Sequence, residues 1–381
     1  MQNNNLKKRV LNLCMEKYYE ISKYDEAILE LYQRYVMLNN VNKDFELDTA
    51  KKNFLKYLVD TPQEQFFVSV RQSENYIWGL VPDKAKSTKI LNAICDNKEL
   101  YFVEDPFLRS IFGSANIIPD EQNFYKYSCG FIIDDLTNYF DATKPSRMEL
   151  MLNSDFEITK AQLNRARKNI DRIINNKISK YNYQPIFEPK YGREGVPKIL
   201  VIDQSYNDYS IIKGCANDAT FKKMLNCAID ENPNADILIK THPDAIGDTI
   251  KPKCYYQNVK QGGNIYRITE PINPISMIQY VDKVYVCSSL FGFEALMCEK
   301  EVHTFGIPFY SGWGLTIDNQ KCKRRIKKRT LEEIFYIAYI YMPQYVNPIT
   351  KEPCEIEEVI DYLIKYRQKY YDEVTLCKKS Q

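Results

Sequence analysis

The segment DQSYND, residues 203–208, places two carboxylates, Asp203 and Asp208, directly after the apolar run KILVI. Such a run is typical of a buried strand, so these side chains would face a crevice at the end of that strand. One of the carboxylates could act as a nucleophile or a base. Asp and Asn also make turns and helix caps at strand ends, and the residues alone leave both interpretations open.

A second polar cluster, KTHPD at residues 240–244, has the same placement. His242 is one of only two histidines in the chain, and Pro243 fixes the exit of the strand while removing a backbone donor. Lys240 and His242 would bring cationic or donating groups beside an anion. A His-Pro pair is also a common element of a buttressed loop.

The segment VCSSLFGFEAL, residues 286–296, predicts a strand that passes through Ser288 and Ser289 into a helix. Free backbone N–H groups at a serine-capped helix start can bind an anion, although serine caps are common without any ligand. Glu294 lies within the predicted helix, where it could reach a ribose or be solvated. Upstream, VEDPFLRS ends another predicted strand with Glu104 and Asp105, followed by Arg109. That cluster predicts either a functional site or a polar turn.

Glycine is scarce in this chain, with 13 residues in 381, yet the segment FGIPFYSGWGLTID contains three glycines together with Tyr310 and Trp313. This density predicts a loop at residues 305–318 whose tight turns surround a ligand. The run KCKRRIKKR that follows has seven Lys or Arg residues in nine positions. Most such runs are solvated faces, and an acidic glycan or anionic lipid headgroups are the alternative partners.

The elements that must position these residues form three regions. Residues 6–58 contain no Gly or Pro and have apolar residues at helical spacing, so helices are expected. Strand-like runs then alternate with helical stretches, which predicts a parallel sheet. A Pro- and Gly-containing linker separates this half from a second one, in which three strand-helix units and a further strand predict a doubly wound sheet. With a C-terminal helical segment added after these three regions, the expected divisions are 1–62, 63–190, 191–345 and 346–381.

Composition limits the function classes. The 52 basic and 50 acidic residues nearly cancel, and no RNA-binding signature accompanies the basic run, so a nucleic-acid role is not expected. The 11 cysteines form no CxxC pair, which favours free thiols in a reducing compartment. Neither a signal peptide nor a transmembrane run is recognisable. We therefore expect a cytoplasmic protein.

Taken together, these motifs resemble the retaining β-Kdo glycosyltransferases of bacterial capsule biosynthesis, the KpsC/KpsS-type family. The resemblance runs from about residue 76 to about residue 365 through these segments, in chain order: VEDPFLRS (family pattern EDGFxRS), CGFIIDDLTNYFDATKPS, ISKYN, VIDQSYND, IKTHPD, VYVCSSLFGFEAL, PFYSGWGLTID and RRIKKRTLEEIFYIAYI. Several ordered motifs over most of a chain are more specific than any single one.

The resemblance implies a GT-B architecture, with two Rossmann-like domains facing a cleft and an additional N-terminal helical region. It implies CMP-Kdo as donor, a saccharide or glycolipid acceptor, and no metal or other cofactor. Asp208 would be the nucleophile of a double displacement, and Glu104 or Asp105 the general base. Donor contacts are expected from the following residues: Gln204, Lys240, His242, Pro243, Ser288, Ser289, Glu294, Arg109, Tyr310 and Trp313.

Pro106 stands where the family has Gly, which bears on the choice between Glu104 and Asp105 as base. The first 60 or so residues match no family motif and are expected to cover the acceptor domain, mediate assembly in a capsule complex, or dock at the inner membrane. Two alternatives share the same motifs. The first is a transferase for another CMP-activated nonulosonic acid, and the second is a non-catalytic CMP- or glycan-binding subunit.

Overall fold

The computed structural model describes residues 21–59, 70, 73–96, 98–113, 124–241 and 254–379. Its strands form two sheets. The five strands of the first sheet are β1 (Tyr76–Trp78), β2 (Tyr101–Glu104), β3 (Gly130–Asp134), β10 (Pro343–Val346) and β11 (Pro353–Cys354). The six strands of the second sheet are β4 (Lys198–Ile202), β5 (Asp236–Lys240), β6 (Ile265–Ile268), β7 (Lys283–Val286), β8 (Glu301–Thr304) and β9 (Ile317–Asp318).

The second sheet confirms the predicted doubly wound arrangement. Its strands are all parallel, in the spatial order β6-β5-β4-β7-β8-β9. Counted from β4, this is the order 3-2-1-4-5-6 of dinucleotide-binding folds, in which ligands bind where the strand order reverses. The strands β4 and β5 are buried along their whole length, as their continuous apolar runs predict.

Four helices flank the second sheet, which with them forms the second unit: α6 (Tyr209–Lys213), α7 (Asp218–Glu231), α8 (Pro274–Tyr280) and α9 (Phe291–Met297). Local sequence sets where they begin. Asn217 caps α7 in a capping box with Thr220, and Asn273 caps α8 with Pro274 at its first turn. These caps place the strand-to-helix turns at the carboxyl ends of the strands.

The first sheet corrects the expectation of a parallel N-terminal half. Only β1 and β2 pair in parallel, whereas β2 with β3, β3 with β10, and β10 with β11 are antiparallel. The helix α3 (Lys84–Asp96) connects the parallel strands β1 and β2, as expected from the predicted alternation of strand and helix in this stretch. The strands β10 and β11 return to this sheet from the C-terminal part of the chain.

Because β10 and β11 belong to the first sheet, the C-terminal stretch is not a separate segment that begins after residue 345, as the sequence predicted. After the second sheet, α10 (Leu331–Phe335), a π-helix (Tyr336–Tyr341), β10, β11 and α11 (Ile356–Lys379) all join the first sheet. They pack with α4 (Arg147–Asn153) and α5 (Lys160–Asn175). The first unit is therefore made of two stretches of the chain, and the second unit is inserted between them.

The expected N-terminal helices are present in the described residues as α1 (Ile21–Asn40) and α2 (Leu47–Val59). The helix α1 packs on α3, with Ile28, Leu29 and Tyr32 buried against the edge of the first sheet. The Tyr32 hydroxyl accepts a hydrogen bond from the Leu100 N–H at 3.2 Å. No helix among the residues described is long and apolar enough to cross a bilayer.

A shared aromatic core joins the two units. Phe107 of the first unit lies 4.6 Å from Phe309 of the second between ring centroids, and 4.9 Å from Tyr339. Phe293 of α9 continues the cluster at 5.2 Å from Phe309. All four side chains are less than a tenth exposed. Their burial fixes how the carboxyl ends of β2 and β4 are placed relative to each other.

Candidate functional site

The point where the second sheet reverses its strand order lies between β4 and β7, and Gln204 connects the two strand ends. Its Oε1 accepts a hydrogen bond from the Ser288 N–H at 3.1 Å, and its Nε2 donates to Ser288 Oγ at 3.2 Å. Ligands of such sheets bind outside this point. The space between it and the carboxyl end of β2 is called the crevice below.

Asp203 shapes the floor of this crevice. Its carboxylate accepts hydrogen bonds from the N–H groups of Gln204, Tyr255 and Tyr256, at 2.9, 3.0 and 3.1 Å. Burial raises its pKa above the usual value, and these donors work in the opposite direction. With 2% of its surface exposed, Asp203 holds the loop rather than facing a ligand.

Asp208 is exposed and lies where the loop enters α6. Its Oδ1 accepts hydrogen bonds from the N–H and the hydroxyl of Ser210, so the capping role considered from sequence is present. Its second oxygen, Oδ2, accepts no hydrogen bond from any residue that the structure describes. One carboxylate oxygen is thus oriented by the helix start, and the other remains available to a ligand.

The helix that Asp208 caps is anchored to the first unit. The Ala142 N–H donates to the Lys213 carbonyl at 2.9 Å, and the Lys213 ammonium pairs with Glu30 of α1. Glu30 also pairs with Lys144 at 2.7 Å. The N-terminal helix therefore helps to position Asp208, a contribution that no motif in the sequence indicated.

The acid pair at the end of β2 separates into two roles. Asp105 is 8% exposed and forms an ion pair with Arg109, whose Nε donates to Asp105 Oδ1 at 2.8 Å. Glu104 is half-buried, with Oε1 accepting from the Asp105 N–H and Oε2 from Asn138 Nδ2 at 3.3 Å. Of the two, Glu104 is the carboxyl that faces the crevice.

The electrostatics of Glu104 link it to Asp208 across the crevice. Burial and the charge of Asp105 raise the pKa of Glu104 to about 7, and the charge of Asp208 raises it further. Lys180 and the Asp105 N–H lower it in part. A carboxyl with this pKa exchanges a proton near neutral pH, as a general base must.

The chain crosses from the first unit to the second through Ser179–Asn182, and both units hold this crossing segment. The Lys180 carbonyl accepts from the N–H groups of Arg109 and Ser110, at 3.2 and 3.3 Å. On the other side, Glu294 accepts from the Ser179 hydroxyl and the Lys180 N–H. Asn182 Nδ2 donates to the Ser110 carbonyl at 3.1 Å.

Glu294 is only 2% exposed, and burial raises its pKa to about 7 against the hydrogen bonds from the crossing segment. Its carboxylate is therefore turned toward that segment, and the expected ribose contact stays a prediction.

Lys240, Ser288 and Ser289 lie at the ends of β5 and β7, beside the crevice. Burial lowers the pKa of Lys240 to about 8, and its Nζ donates to the Thr241 carbonyl at 3.1 Å. Ser288 and Ser289 are partly exposed, and Ser289 Oγ accepts from the Phe291 N–H at 3.3 Å. The expected roles of His242 and Pro243 fall outside the residues described.

Three of the expected donor contacts need correction, because the side chains have no accessible surface. Arg109, Tyr310 and Trp313 are each 0% exposed. The Tyr310 hydroxyl donates to the Ser289 carbonyl, and Trp313 Nε1 donates to the Phe309 carbonyl at 2.8 Å. These residues support the walls of the crevice from behind.

The glycine-rich loop makes tight turns, as predicted, but they surround side chains of the same protein. Gly312 and Gly314 have φ values of +81° and +92°. A Cβ on Gly312 would lie 3.2 Å from the Arg325 side chain. The turns therefore pack against the basic run, and a ligand at this loop stays a prediction.

The basic run itself is largely an interface between the units. Glu149 of α4 pairs with Arg324 at 2.6 Å and with Arg325 at 3.0 Å. Arg329 Nε donates to the Leu152 carbonyl at 2.8 Å. The expectation of a solvated face fails for these arginines, because their partners lie about 175 residues away in the chain and cannot be read from local sequence.

Sequence reasoning assigned no role to Asn138, Ser179 or Lys180. Asn138 orients Glu104, and the other two belong to the crossing segment. In the sequence, these residues were distinguished only by lying in NYFDATKPS and ISKYN, two segments that resemble the family.

The fold and the site define an α/β protein in which a doubly wound parallel sheet and a mixed sheet place carboxylates on opposite walls of one crevice. Comparison with known proteins supports a more specific statement. Residues 77–349 match the family model for the capsule polysaccharide biosynthesis protein. The chain belongs to this family, which confirms the resemblance found in its motifs.

Two curated relatives agree with this membership. The chain is 36% identical over 304 residues to the capsule polysaccharide modification protein LipA of Neisseria meningitidis serogroup B, covering 77% of this chain and 41% of LipA. It is 34% identical over 288 residues to the lipopolysaccharide-processing protein LpsZ of Rhizobium meliloti, covering 74% and 62%. The chain thus spans about two fifths of LipA and less than two thirds of LpsZ.

Two solved structures of KpsC from Thermosulfurimonas dismutans are similar. The beta Kdo 2,4 transferase is 36% identical with a TM-score of 0.67, covering 76% of this chain and 86% of that one. The beta Kdo 2,7 transferase is 27% identical with a TM-score of 0.52, covering 81% and 90%.

Proposed function

We propose that this protein is a retaining β-Kdo glycosyltransferase of the GT-B type, which transfers Kdo from CMP-Kdo to a saccharide acceptor in capsule or surface polysaccharide synthesis. The observation that carries the proposal is the pairing of Glu104 and Asp208. They come from different units, with Glu104 at the carboxyl end of β2 and Asp208 where the loop after β4 enters α6, and they are close enough for the charge of Asp208 to raise the pKa of Glu104. The similarity to two Kdo transferases supports the donor.

In the first step, Asp208 Oδ2 attacks the anomeric carbon of Kdo, and the bond from that carbon to the phosphate oxygen of CMP breaks. The electron pair leaves with CMP, and a glycosyl-enzyme ester forms on Asp208. In the second step, the acceptor hydroxyl loses its proton to Glu104 and its oxygen attacks the same carbon, which releases the Asp208 carboxylate. Two inversions give net retention.

The departing CMP carries growing negative charge on its phosphate, which fixed donors must offset. Lys240 at the end of β5, the Ser288 and Ser289 side chains beside β7, and His242 are the groups proposed for this. The fixed position of Ser288, bound through both its N–H and its hydroxyl to Gln204, favours a pre-organised phosphate site. No metal ion is assigned a role.

The acceptor would enter from the side of the first unit, where Glu104 lies. A saccharide or glycolipid acceptor and a capsule assembly complex are the proposed partners, and a peripheral position at the inner membrane is the proposed location. The crevice described here, with Glu104 and Asp208 on its opposite walls, is proposed to form one linkage.

The test is release of CMP from CMP-Kdo in the presence of a Kdo-terminated glycolipid acceptor, with CMP-sialic acid and other CMP-nonulosonates as competing donors. Wild type should turn over CMP-Kdo, and Asp208→Asn should lose nearly all turnover. Asp230→Asn, an exposed carboxylate in α7, is the matched control and should remain active. Preferred turnover of another CMP-nonulosonate would mean that this sugar, and not CMP-Kdo, is the donor. CMP binding without turnover of any donor would indicate a non-catalytic subunit.

A further inference from the structure

Lys180 is the feature of the crevice that the proposed chemistry does not yet use. Its backbone is fixed on both sides, by Arg109 and Ser110 from the first unit and by Glu294 from the second. A parallel bridge between Ser110 and Tyr181 extends this hold by one residue. The side chain of Lys180 therefore leaves a backbone that cannot shift unless the contact between the units is broken.

The ammonium group of Lys180 has no direct partner among the residues described. It is half-buried, and no carboxylate oxygen of the described residues lies within the 4.0 Å that defines an ion pair. The Lys180 Nζ lies over the ring of Tyr181, 5.8 Å from the ring centroid. A partly desolvated cation without a hydrogen-bond acceptor is unfavourable unless an anion completes its surroundings.

The groups around Lys180 keep it charged. Burial opposes the charged form, but attraction to Tyr139, Tyr181, Asp105 and Glu104 raises its pKa above the ordinary value. Asp105 is already paired with Arg109 at 2.8 Å. A fixed positive charge is thus directed at the space beside Glu104.

The proposed donor brings an anion to this space. In a ulosonic acid such as Kdo, a carboxylate is bonded directly to the anomeric carbon, which must lie between the attacking Asp208 and the acceptor oxygen held by Glu104. Two protein carboxylates would repel a third at this place. Arg109, the cation expected from sequence to bind it, is fully buried and occupied.

Building on the proposed function, we propose that Lys180 binds the carboxylate of the donor sugar and so selects donors that carry a carboxylate on the anomeric carbon. The phosphate is bound at the other wall, beside β5 and β7, so Lys180 distinguishes the sugar from the nucleotide. This makes Lys180 a specificity-determining residue supplied by the segment that crosses between the units.

The test compares binding of CMP and of CMP-Kdo by calorimetry in the full-length Asp208→Asn protein, in which the donor is not consumed. Lys180→Met should weaken CMP-Kdo binding by roughly 10- to 100-fold, the loss expected for one charged hydrogen bond, and leave CMP binding unchanged. Lys180→Arg should restore part of the affinity. Lys177→Met, which removes a lysine two residues before the crossing segment that is bonded to Ser276 at 3.1 Å, is the matched control and should bind both ligands normally.

A second readout separates ligand binding from a structural role. Lys180 lowers the pKa of Glu104, so Lys180→Met with Asp208 intact should move the ascending limb of the pH–rate profile to higher pH. If wild type transfers Kdo but Lys180→Met loses the same affinity for CMP as for CMP-Kdo, or loses none for either, the assignment of Lys180 is overturned and the proposed function is not. A wild-type protein that binds neither ligand would instead contradict the proposed function, and the role of Lys180 with it.

Discussion

The pH dependence of transfer tests the role of Glu104 most quantitatively. The pKa of this carboxyl is about 7, chiefly because it is buried and lies beside Asp105. A general base must be ionised, and with this pKa about 1% of the carboxyl is ionised at pH 5 and about half at pH 7. The rate of the chemical step should therefore rise about 50-fold between pH 5 and pH 7.

An ordinary glutamate would behave differently. With a pKa of about 4.3 it is already more than four fifths ionised at pH 5, so the rate would hardly change over the same interval. The assay is single-turnover transfer from CMP-Kdo with saturating acceptor, sampled at half-unit steps of pH, so that product release does not mask the chemical step.

Substitution identifies the group responsible. Glu104→Gln should lower the rate by roughly 10²- to 10⁴-fold and remove the ascending limb. Glu99→Gln, an exposed carboxyl just before β2, should keep both the rate and the limb. A flat wild-type profile, or a limb that survives in Glu104→Gln, would refute the assignment of Glu104 as base.

Three further predictions concern the framework of the site. Glu149→Gln should lower the free energy of unfolding by about 3–5 kcal/mol in guanidinium titrations, because it removes the carboxylate that pairs with a buried arginine. Asp155→Asn, at an exposed ion pair, should change the free energy of unfolding little. Equal effects of the two substitutions would contradict the interface described. Gly292→Ala would place a Cβ 2.1 Å from the Tyr310 hydroxyl, so a loss of about 1–3 kcal/mol and weaker CMP binding are expected, and an unchanged melting temperature would argue against this packing. Glu294→Gln removes a carboxyl whose pKa of about 7 in the folded state exceeds its value in the unfolded state, so wild type loses stability as pH rises from about 5 to 7. The free energy of unfolding of the variant relative to wild type should therefore increase over that range. Curves of unfolding free energy against pH that run parallel for the two proteins would contradict this.

The second sheet was predictable because each of its central strands is a continuous apolar run bounded by polar turns. KILVI and DILIK are buried at every position, and burial on both faces requires such runs. The first sheet was not, because the alternation of strands and helices does not state the direction in which strands pair. The strand β3 pairs antiparallel with β2, and the further antiparallel strands β10 and β11 come from beyond residue 340.

The site also contains residues that local sequence indicated and residues that it did not. The two acid clusters that contain Asp208 and Glu104 were recognisable because both follow an apolar strand, where side chains face a crevice, while the choice of Asp208 came from the family resemblance and the choice between Glu104 and Asp105 stayed open. Arg109 and Tyr310 were expected at the donor from the family resemblance, and their complete burial depends on partners that no local pattern reveals. Lys180 gave no signal of its own, because its importance comes from contacts that the two units make with one short segment.

The most direct test of the account is intact-protein mass spectrometry after brief incubation with CMP-Kdo and no acceptor. Wild type should gain the mass of one Kdo residue, and peptide mapping should place it on Asp208, with the adduct lost on addition of acceptor. Asp208→Asn should show no adduct, and Asp203→Asn, where folded, should still form one at residue 208. An adduct on another residue, or wild-type transfer that persists in Asp208→Asn, would contradict the proposed double displacement.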